Sequence, residues 1–120
     1  EAMVKIEVNQ INRGTIAETE LKVLCDKAQE VFDKFCEVRT VSQKQLWGGK
    51  IIAALDRQHP RDLFDIRNMI NEIGYSTEIK EGFIFFLLCS KRPMQELLNP
   101  HPIDQSAVFE RQQYHFKANF

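Results

Sequence analysis

The chain has 120 residues, a length that suits one domain with a modest core. Its formal net charge of −1 excludes a global basic field for coating nucleic acid, and 43% hydrophobic with 28% charged residues excludes a largely disordered chain. The longest apolar run, residues 83–89, is too short for a bilayer, which needs roughly 20 residues, so we expect a soluble cytoplasmic protein with no membrane partner. The three cysteines share no metal-ligand or disulfide spacing, which predicts buried free thiols.

The first predicted element is a strand over residues 4–11. Val4, Ile6 and Val8 alternate with polar residues, and this period of two is typical of a strand with one buried face. The sequence offers one further strand candidate, residues 36–41, and two short strands form only a marginal sheet. Because an open strand edge can pair between two copies, the pattern also allows a homodimer.

A helix is predicted over about residues 18–34, because apolar and small residues recur there at steps of three and four. These residues are Leu21, Leu24, Cys25, Ala28, Val31, Phe32 and Phe35. Charged residues occupy the other face of this helix, as expected for an amphipathic element.

Two helices, over about residues 43–57 and 60–73, are predicted to meet at a break before Pro60. Ser42 and Gln45 have the spacing of a capping box, which starts the first of them. Proline is excluded from a helix interior but suits the first position of a new helix, so Pro60 starts the second. The buried stripe of the second helix is predicted to be Leu63, Ile66, Ile70 and Ile73.

The first of these two helices carries an adjacent glycine pair, Gly48 and Gly49. Each glycine costs on the order of 1 kcal/mol of helix propensity relative to alanine. A helix that contains such a pair needs close approach on that face, either by another helix or by a ligand.

Three more helices are predicted, over about residues 78–89, 93–98 and 105–114. The first of them is apolar on most sides and should therefore be central. The chain is thus predicted to be a single α+β domain over residues 1–120, mostly helical. One or two short N-terminal strands are followed by a bundle of about five helices.

Both signs of charge gather around the break before Pro60. Lys50 and Arg57 are seven residues apart and share one helix face, while Asp62 and Asp65 are three apart and share a face of the next helix. In one interpretation the cations hold an anionic group such as a phosphate, and the aspartates orient them or polarise a substrate group. In the other, neighbouring arginines and aspartates simply pair and fix the angle between the helices. Composition and spacing alone favour this second interpretation.

Glu7 is the other candidate for chemistry, since it lies on the polar face of the predicted strand. A strand carboxylate can be one of a set that holds Mg²⁺ for phosphoryl chemistry. Considered in isolation, a solvated strand face is the favoured interpretation of this residue.

Three stretches together resemble the AbiEii/AbiGii-type nucleotidyltransferases, the toxins of type IV toxin–antitoxin pairs. They are residues 4–9, residues 46–65 and, less specifically, residues 92–98 with the region towards Phe109. The most specific part is the block formed by Lys50, Arg57, Pro60, Arg61, Asp62 and Asp65. The resemblance therefore covers most of the chain.

This resemblance implies a polymerase-beta-like nucleotidyltransferase core followed by a helical C-terminal region, of which the chain would be the C-terminal part. It implies Mg²⁺ as cofactor, a nucleoside triphosphate as substrate, a tRNA or protein acceptor, and a cognate antitoxin. The implied roles are Glu7 in metal binding, Lys50, Arg57 and Arg61 in nucleotide binding, and Asp62 and Asp65 in catalysis.

The sequence departs from the family pattern at the main metal-binding motif, Gly-Ser…Asp-x-Asp. Neither a Gly-Ser pair nor an Asp-x-Asp occurs in these 120 residues, and Gln45 stands where family members usually carry an acid. Two-metal chemistry needs several carboxylates, so we expect this chain by itself not to transfer nucleotides. The alternative is a non-catalytic helical interaction module or truncated remnant that dimerises through its N-terminal strand.

Overall fold

A long helix, α2 (Gln43–Arg57), is the element against which the other helices pack. The computed structural model describes residues 6–8 and 14–110 of the chain. In these residues α3 (Pro60–Glu72), α4 (Thr77–Cys89) and α5 (Met94–Leu98) all contact α2, with α4 making the most extensive contact. Residues 106–110 are helical as well. The helices predicted over 43–57, 60–73, 78–89 and 93–98 are therefore confirmed to within about one residue at each end.

The helix starts follow local capping chemistry. Ser42 Oγ accepts a hydrogen bond from the Gln45 N–H at 3.4 Å, and Ser76 Oγ accepts one from the Ile79 N–H at 3.2 Å. Such caps satisfy backbone donors that a helix leaves unpaired in its first turn. The Gln45 side chain does not complete the capping box, because its Oε1 accepts from the Ile16 N–H at 3.0 Å. This bond ties the segment before the sheet to α2.

A small core lies where α2, α3, α4 and α5 meet. Its buried apolar side chains are Ala54, Met69, Ile79, Leu87 and Leu97. All four helices contribute side chains to this core. Because α3, α4 and α5 each contact α2, the core is contiguous around α2. The helix predicted to be central, α4, supplies Ile79 and Leu87 to this core, but it is not covered on all sides, because Ile84, Phe85 and Leu88 are exposed.

A two-stranded antiparallel sheet precedes the helices, formed by β1 (Glu20–Val23) and β2 (Glu37–Thr40) with α1 (Asp26–Phe32) between them. In its register Glu20 lies opposite Thr40 and Val23 opposite Glu37. The strand predicted over 36–41 is confirmed as β2. The sheet and the helices together confirm the predicted class, a mostly helical α+β fold.

The helix predicted over 18–34 was wrong in its first half, where the structure has β1. The apolar spacing there fits a helix, but Leu21 and Val23 also fit one side of a strand. Pairing with β2 decides between the two, because a strand as short as β2 requires a neighbour for its backbone groups. The second half of the predicted helix is confirmed as α1, which ends at Asp33 with a left-handed φ of 47°.

Two other predicted elements lie partly outside the described residues. Of the strand predicted over 4–11, residues 6–8 are described and belong to neither strand nor helix, and the rest lies outside the described residues. Of the helix predicted over 105–114, residues 106–110 are helical and residues 111–114 lie outside.

The three cysteines are free but exposed, so the prediction of buried thiols was wrong. Cys25 and Cys36 flank α1, whose residues are not buried by the rest of the described chain. No helix in the described ranges combines the length and apolar character that crossing a membrane would require.

Candidate functional site

The chain reverses direction between α2 and α3 through three residues with distinct backbone roles. Gln58 ends α2 in the left-handed region, with φ 50° and ψ 28°. His59 is extended, and its Nδ1 accepts a hydrogen bond from the Arg61 N–H at 3.2 Å. Pro60 then opens α3 at a position where its missing N–H costs nothing. The predicted break before Pro60 is confirmed, and His59 is the N-cap of α3.

This reversal places the candidate charges of α2 and α3 opposite each other, in what we call the charge ladder. Lys50 Nζ lies 2.5 Å from Asp65 Oδ2, and Arg57 Nη2 lies 3.0 Å from Asp62 Oδ1. Both cations are on one face of α2 and both carboxylates on one face of α3, as their spacing predicted. The two antiparallel helices are thus joined by two ion pairs.

The ladder is accessible from solvent. The Lys50 and Asp65 side chains are 39% and 41% exposed, and Asp62 is the most enclosed of the four at 19%. Half-exposed ion pairs contribute about 0–1 kcal/mol to stability. The two ion pairs therefore stabilise the contact between α2 and α3 only weakly. The exposed Lys50 ammonium, in contrast, is accessible to an incoming anion.

The orientation of α3 differs from the prediction. Asp62 and Asp65 point towards α2 together with buried Met69, while Leu63 and Ile70 are about half exposed. The predicted buried stripe was therefore wrong for most of its members: Ile73 is exposed as well, and Ile66 is partly buried. The face of α3 that meets α2 carries Asp62, Asp65 and Met69, and the apolar stripe lies on a neighbouring side of the helix.

Packing against α4 explains one member of the glycine pair of α2, Gly48. A Cβ at Gly48 would come within 3.0 Å of the backbone of Gly82 and Phe83, closer than real Cβ atoms approach. A Cβ at Gly82 would likewise collide with the Lys44 carbonyl oxygen. Of the two predicted causes, another helix or a ligand, the structure supports the helix. Gly82 is the partner glycine that sequence reasoning missed.

Trp47 lies beside the ladder on the same helix. Lys50 Nζ is 5.9 Å from the centre of its ring, within the range of a cation–π contact. Trp47 is partly buried. The Lys50 ammonium is therefore held by two groups, the Trp47 ring and the Asp65 carboxylate.

A groove of about 1210 Å³ opens next to the ladder. One wall is the reversal and the start of α3, residues 57–65 with Arg67, and the other wall comes from residues 102–109. Its apolar lining includes Leu63, Phe64, Ile103 and Phe109, each at least half exposed. Its charged lining consists of Arg57, Arg61, Arg67, Asp62 and Asp65.

Asp65 belongs to both features, since it lines the groove and pairs with Lys50. Arg61 is exposed on the groove and forms no ion pair within the described residues. Of the predicted nucleotide-binding residues, Arg57 and Arg61 line the groove, and Lys50 adjoins it through its ion pair with Asp65.

Two residues of this region were not singled out from the sequence. Gln58 bonds the second wall through its side chain, which contacts the His101 carbonyl oxygen and the Ile103 N–H. Arg92 joins the end of α2 to α5, because its guanidinium donates to Asp56 and to Glu96. These carboxylates, Asp56 first, raise the pKa of Arg92. The sequence signal for Arg92 was its place at the start of the third matching stretch.

The predicted metal ligand lies elsewhere in the chain. Glu7 is exposed in the described segment 6–8 and is not among the residues that line the groove. Within the described ranges, no three His, Cys, Asp or Glu side chains come together in a way that could hold a metal ion. Asp62 and Asp65 are each engaged by a cation, so the described residues do not by themselves fit a Mg²⁺ site.

The second wall of the groove contains a hydrogen-bonded cap between Asp104 and Ser106, whose strength should depend on pH. Asp104 Oδ1 accepts hydrogen bonds from the Ser106 hydroxyl at 2.6 Å and from the Ser106 N–H at 2.9 Å, and these bonds lower the Asp104 pKa below 3.8. A lowered pKa stabilises the folded segment above the unfolded value, and this contribution is lost as pH falls through the folded value. We expect the protection of the Ser106 amide, its exchange rate relative to that of an unfolded chain at the same pH, to fall as pH drops through the lowered pKa of Asp104, and to be lost at neutral pH in Asp104→Ala. Protection that stays constant across this range and in the variant would contradict the cap.

A comparison with protein-family models gives a match over residues 1–118, to the model described as nucleotidyl transferase AbiEii toxin, type IV TA system. The chain belongs to the AbiEii nucleotidyltransferase toxin family. Searches of curated proteins and of solved structures gave no significant match.

Membership in the AbiEii family confirms the resemblance inferred from the Lys50–Asp65 block. The family consists of nucleotidyltransferase toxins of toxin–antitoxin systems, which implies a nucleoside triphosphate substrate and an antitoxin partner. The match spans both the sheet and the helices, so the charge ladder and the groove lie within the AbiEii region.

Proposed function

We propose that this AbiEii chain binds a nucleoside triphosphate with Mg²⁺ and supports nucleotide transfer to an RNA or protein acceptor, as the toxin of a toxin–antitoxin pair. The observation that carries the proposal is the charge ladder beside an open groove. Lys50 and Arg57 supply two cations on one face of α2, and Arg61 supplies a third on the rim. Cations in such an array suit the several oxygens of a triphosphate.

Lys50 is the proposed primary phosphate contact. It is about 40% exposed, and its ammonium carries three donors, of which Asp65 occupies one direction. Arg57 and Arg61 would take further phosphate oxygens from the same side. A triphosphate that enters would share Lys50 with Asp65 or displace it, since both bring negative oxygens to the same nitrogen.

Asp62 and Asp65 are proposed to act by holding these cations in place. Their carboxylates lie at 3.0 Å and 2.5 Å from the nearest nitrogen of Arg57 and Lys50. A direct catalytic role would require one of them to leave its ion pair and contact the reacting group. Glu7 remains a predicted Mg²⁺ ligand; because the described residues do not form a metal site, no reaction step is assigned to it.

Equilibrium dialysis of the chain with each of the four ribonucleoside triphosphates and Mg²⁺ tests the binding proposal. We expect saturable binding of at least one of them. Absence of binding for all four would contradict it. In the same samples, an α-phosphate label that appears on added RNA or protein would identify the acceptor, and it would show that the expectation of no transfer by this chain alone is wrong.

One observation favours the second candidate, a non-catalytic interaction module. Large apolar side chains of the β1–α1–β2 unit are exposed, and exposed patches of this kind mark interfaces. They are Leu21, Val23, Val31, Phe32, Phe35 and Val38. Sedimentation velocity over a range of concentrations tests it: a dimer that becomes monomeric in Phe32→Asp supports self-association, and a monomer at all concentrations contradicts it.

A further inference from the structure

We propose that the groove beside the charge ladder binds the nucleoside part of the triphosphate, and that Gln58 is a positioning residue that sets the width of this groove. This inference rests on the proposed function, because it assigns the part of the ligand that Lys50 does not hold. Its support comes from the lining of the groove, its continuity with the ladder, and the hydrogen bonds that connect its walls.

The lining of the groove suits a flat, largely apolar group with an anionic end. Phe64 on α3 and Phe109 on the second wall are 60% and 57% exposed, and both line the groove. Aromatic side chains exposed in a groove offer stacking surfaces to a nucleobase, which every base can use. The volume of about 1210 Å³ exceeds the roughly 300–1,000 Å³ of usual ligand sites, so size does not prevent entry.

The charges determine which end of the ligand lies where. Arg57, Asp62 and Asp65 belong both to the groove lining and to the ladder, and Asp65 pairs directly with Lys50. A triphosphate held at Lys50 therefore lies beside the groove and extends its sugar and base into it. The cations of the ladder and the aromatic side chains of the groove together give one orientation for the nucleotide.

Gln58 connects the two walls with both ends of its amide. Its Nε2 donates to the His101 carbonyl oxygen at 2.8 Å, and its Oε1 accepts from the Ile103 N–H at 3.1 Å. The residue itself belongs to the first wall, where it ends α2. The side-chain amide carries its donor and its acceptor on two separate terminal atoms, so a side chain of equal length that lacks this amide would release the wall.

The experiment compares two probes, a ribonucleoside triphosphate and inorganic tripolyphosphate, each titrated with Mg²⁺ by calorimetry. The affinity for tripolyphosphate measures the phosphate contacts alone. The difference in affinity between the two probes measures the contribution of the groove. We expect the wild type to bind the nucleotide more tightly than tripolyphosphate. Lys50→Ala should weaken both.

Gln58→Met removes both hydrogen bonds at nearly constant length and charge. We expect it to weaken nucleotide binding about tenfold and to leave tripolyphosphate binding unchanged. Gln95→Met is the matched control, because Gln95 lies exposed on α5 away from the groove. Circular dichroism of each variant checks that the helices persist.

Phe64→Ala provides a second variant that does not depend on Gln58, and its exposure makes a folding defect small. It should also weaken the nucleotide alone, while Phe32→Ala, an equally exposed phenylalanine on α1, should change neither probe. Equal affinity of the wild type for both probes would overturn the groove assignment while leaving the phosphate site standing. If Gln58→Met weakened the binding of both probes to the same extent, its positioning role would be overturned. If the wild type bound neither probe, the proposed function would be overturned as well.

Discussion

Gly82→Ala should destabilise the helical part of the chain by about 3 kcal/mol, the upper end of the usual cost of overpacking. The added Cβ would collide with the Lys44 carbonyl oxygen, which belongs to the backbone of α2. A flexible side chain could move aside, but a backbone carbonyl within a helix moves only if the two helices separate. The contact between α2 and α4 is the most extensive in the fold, so its loss should affect the whole core.

Urea unfolding followed by circular dichroism measures this effect, and Gly49→Ala is its matched control. A Cβ at Gly49 would lie 3.8 Å from the Phe86 ring, an ordinary contact. The control should therefore gain up to about 1 kcal/mol, because alanine is the better helix former. A Gly82→Ala variant as stable as the wild type would show that α2 and α4 do not pack at this distance.

Lys50→Ala should weaken binding of a nucleoside triphosphate roughly 10- to 100-fold, which is the usual worth of a hydrogen bond to a charged group. The variant removes the ammonium and leaves the Asp65 carboxylate without its cation on the groove. That carboxylate would then repel the triphosphate, which adds to the loss. Calorimetric titration with Mg²⁺ and each of the four nucleotides measures the change.

Lys44→Ala is the matched control for this prediction. Lys44 lies on the same helix and also forms an ion pair at 2.5 Å, but its partner is Glu81 on α4, away from the ladder. The control removes the same charge from the chain and should leave nucleotide affinity within about twofold, the scale of a screened surface charge. Equal loss in both variants would indicate a general charge effect and no specific site at Lys50.

Local chemistry made the helical part of the fold predictable. Ser42 and Pro60 mark helix starts through a hydroxyl that accepts an N–H bond and a ring that fits the first turn. The spacing of Lys50 and Arg57, and of Asp62 and Asp65, also fixed which charges share a face. Both ion pairs of the ladder follow from these spacings once the two helices run antiparallel.

Long-range contacts decided what local patterns left open. The residues around Leu21 fit either a helix or a strand, and only pairing with β2 selects the strand. The apolar stripe of α3 looked buried because the sequence does not reveal which face of a helix its neighbour covers. Gln58 gave no signal, since its partners at 101 and 103 are more than forty positions away.

The central claim is that the charge ladder is a phosphate-binding site and not only a clamp between α2 and α3. Urea unfolding of the wild type and of Lys50→Ala, each with and without a saturating nucleoside triphosphate and Mg²⁺, tests it most directly. Ligand at 100 times its dissociation constant should stabilise the wild type by about 2.7 kcal/mol. We predict that at the same ligand concentration this gain falls to about 0.4–1.4 kcal/mol in Lys50→Ala, whose affinity should be 10- to 100-fold lower, while without ligand the two proteins differ by less than about 1 kcal/mol. A large loss of stability without ligand, together with an unchanged gain on adding it, would contradict the claim.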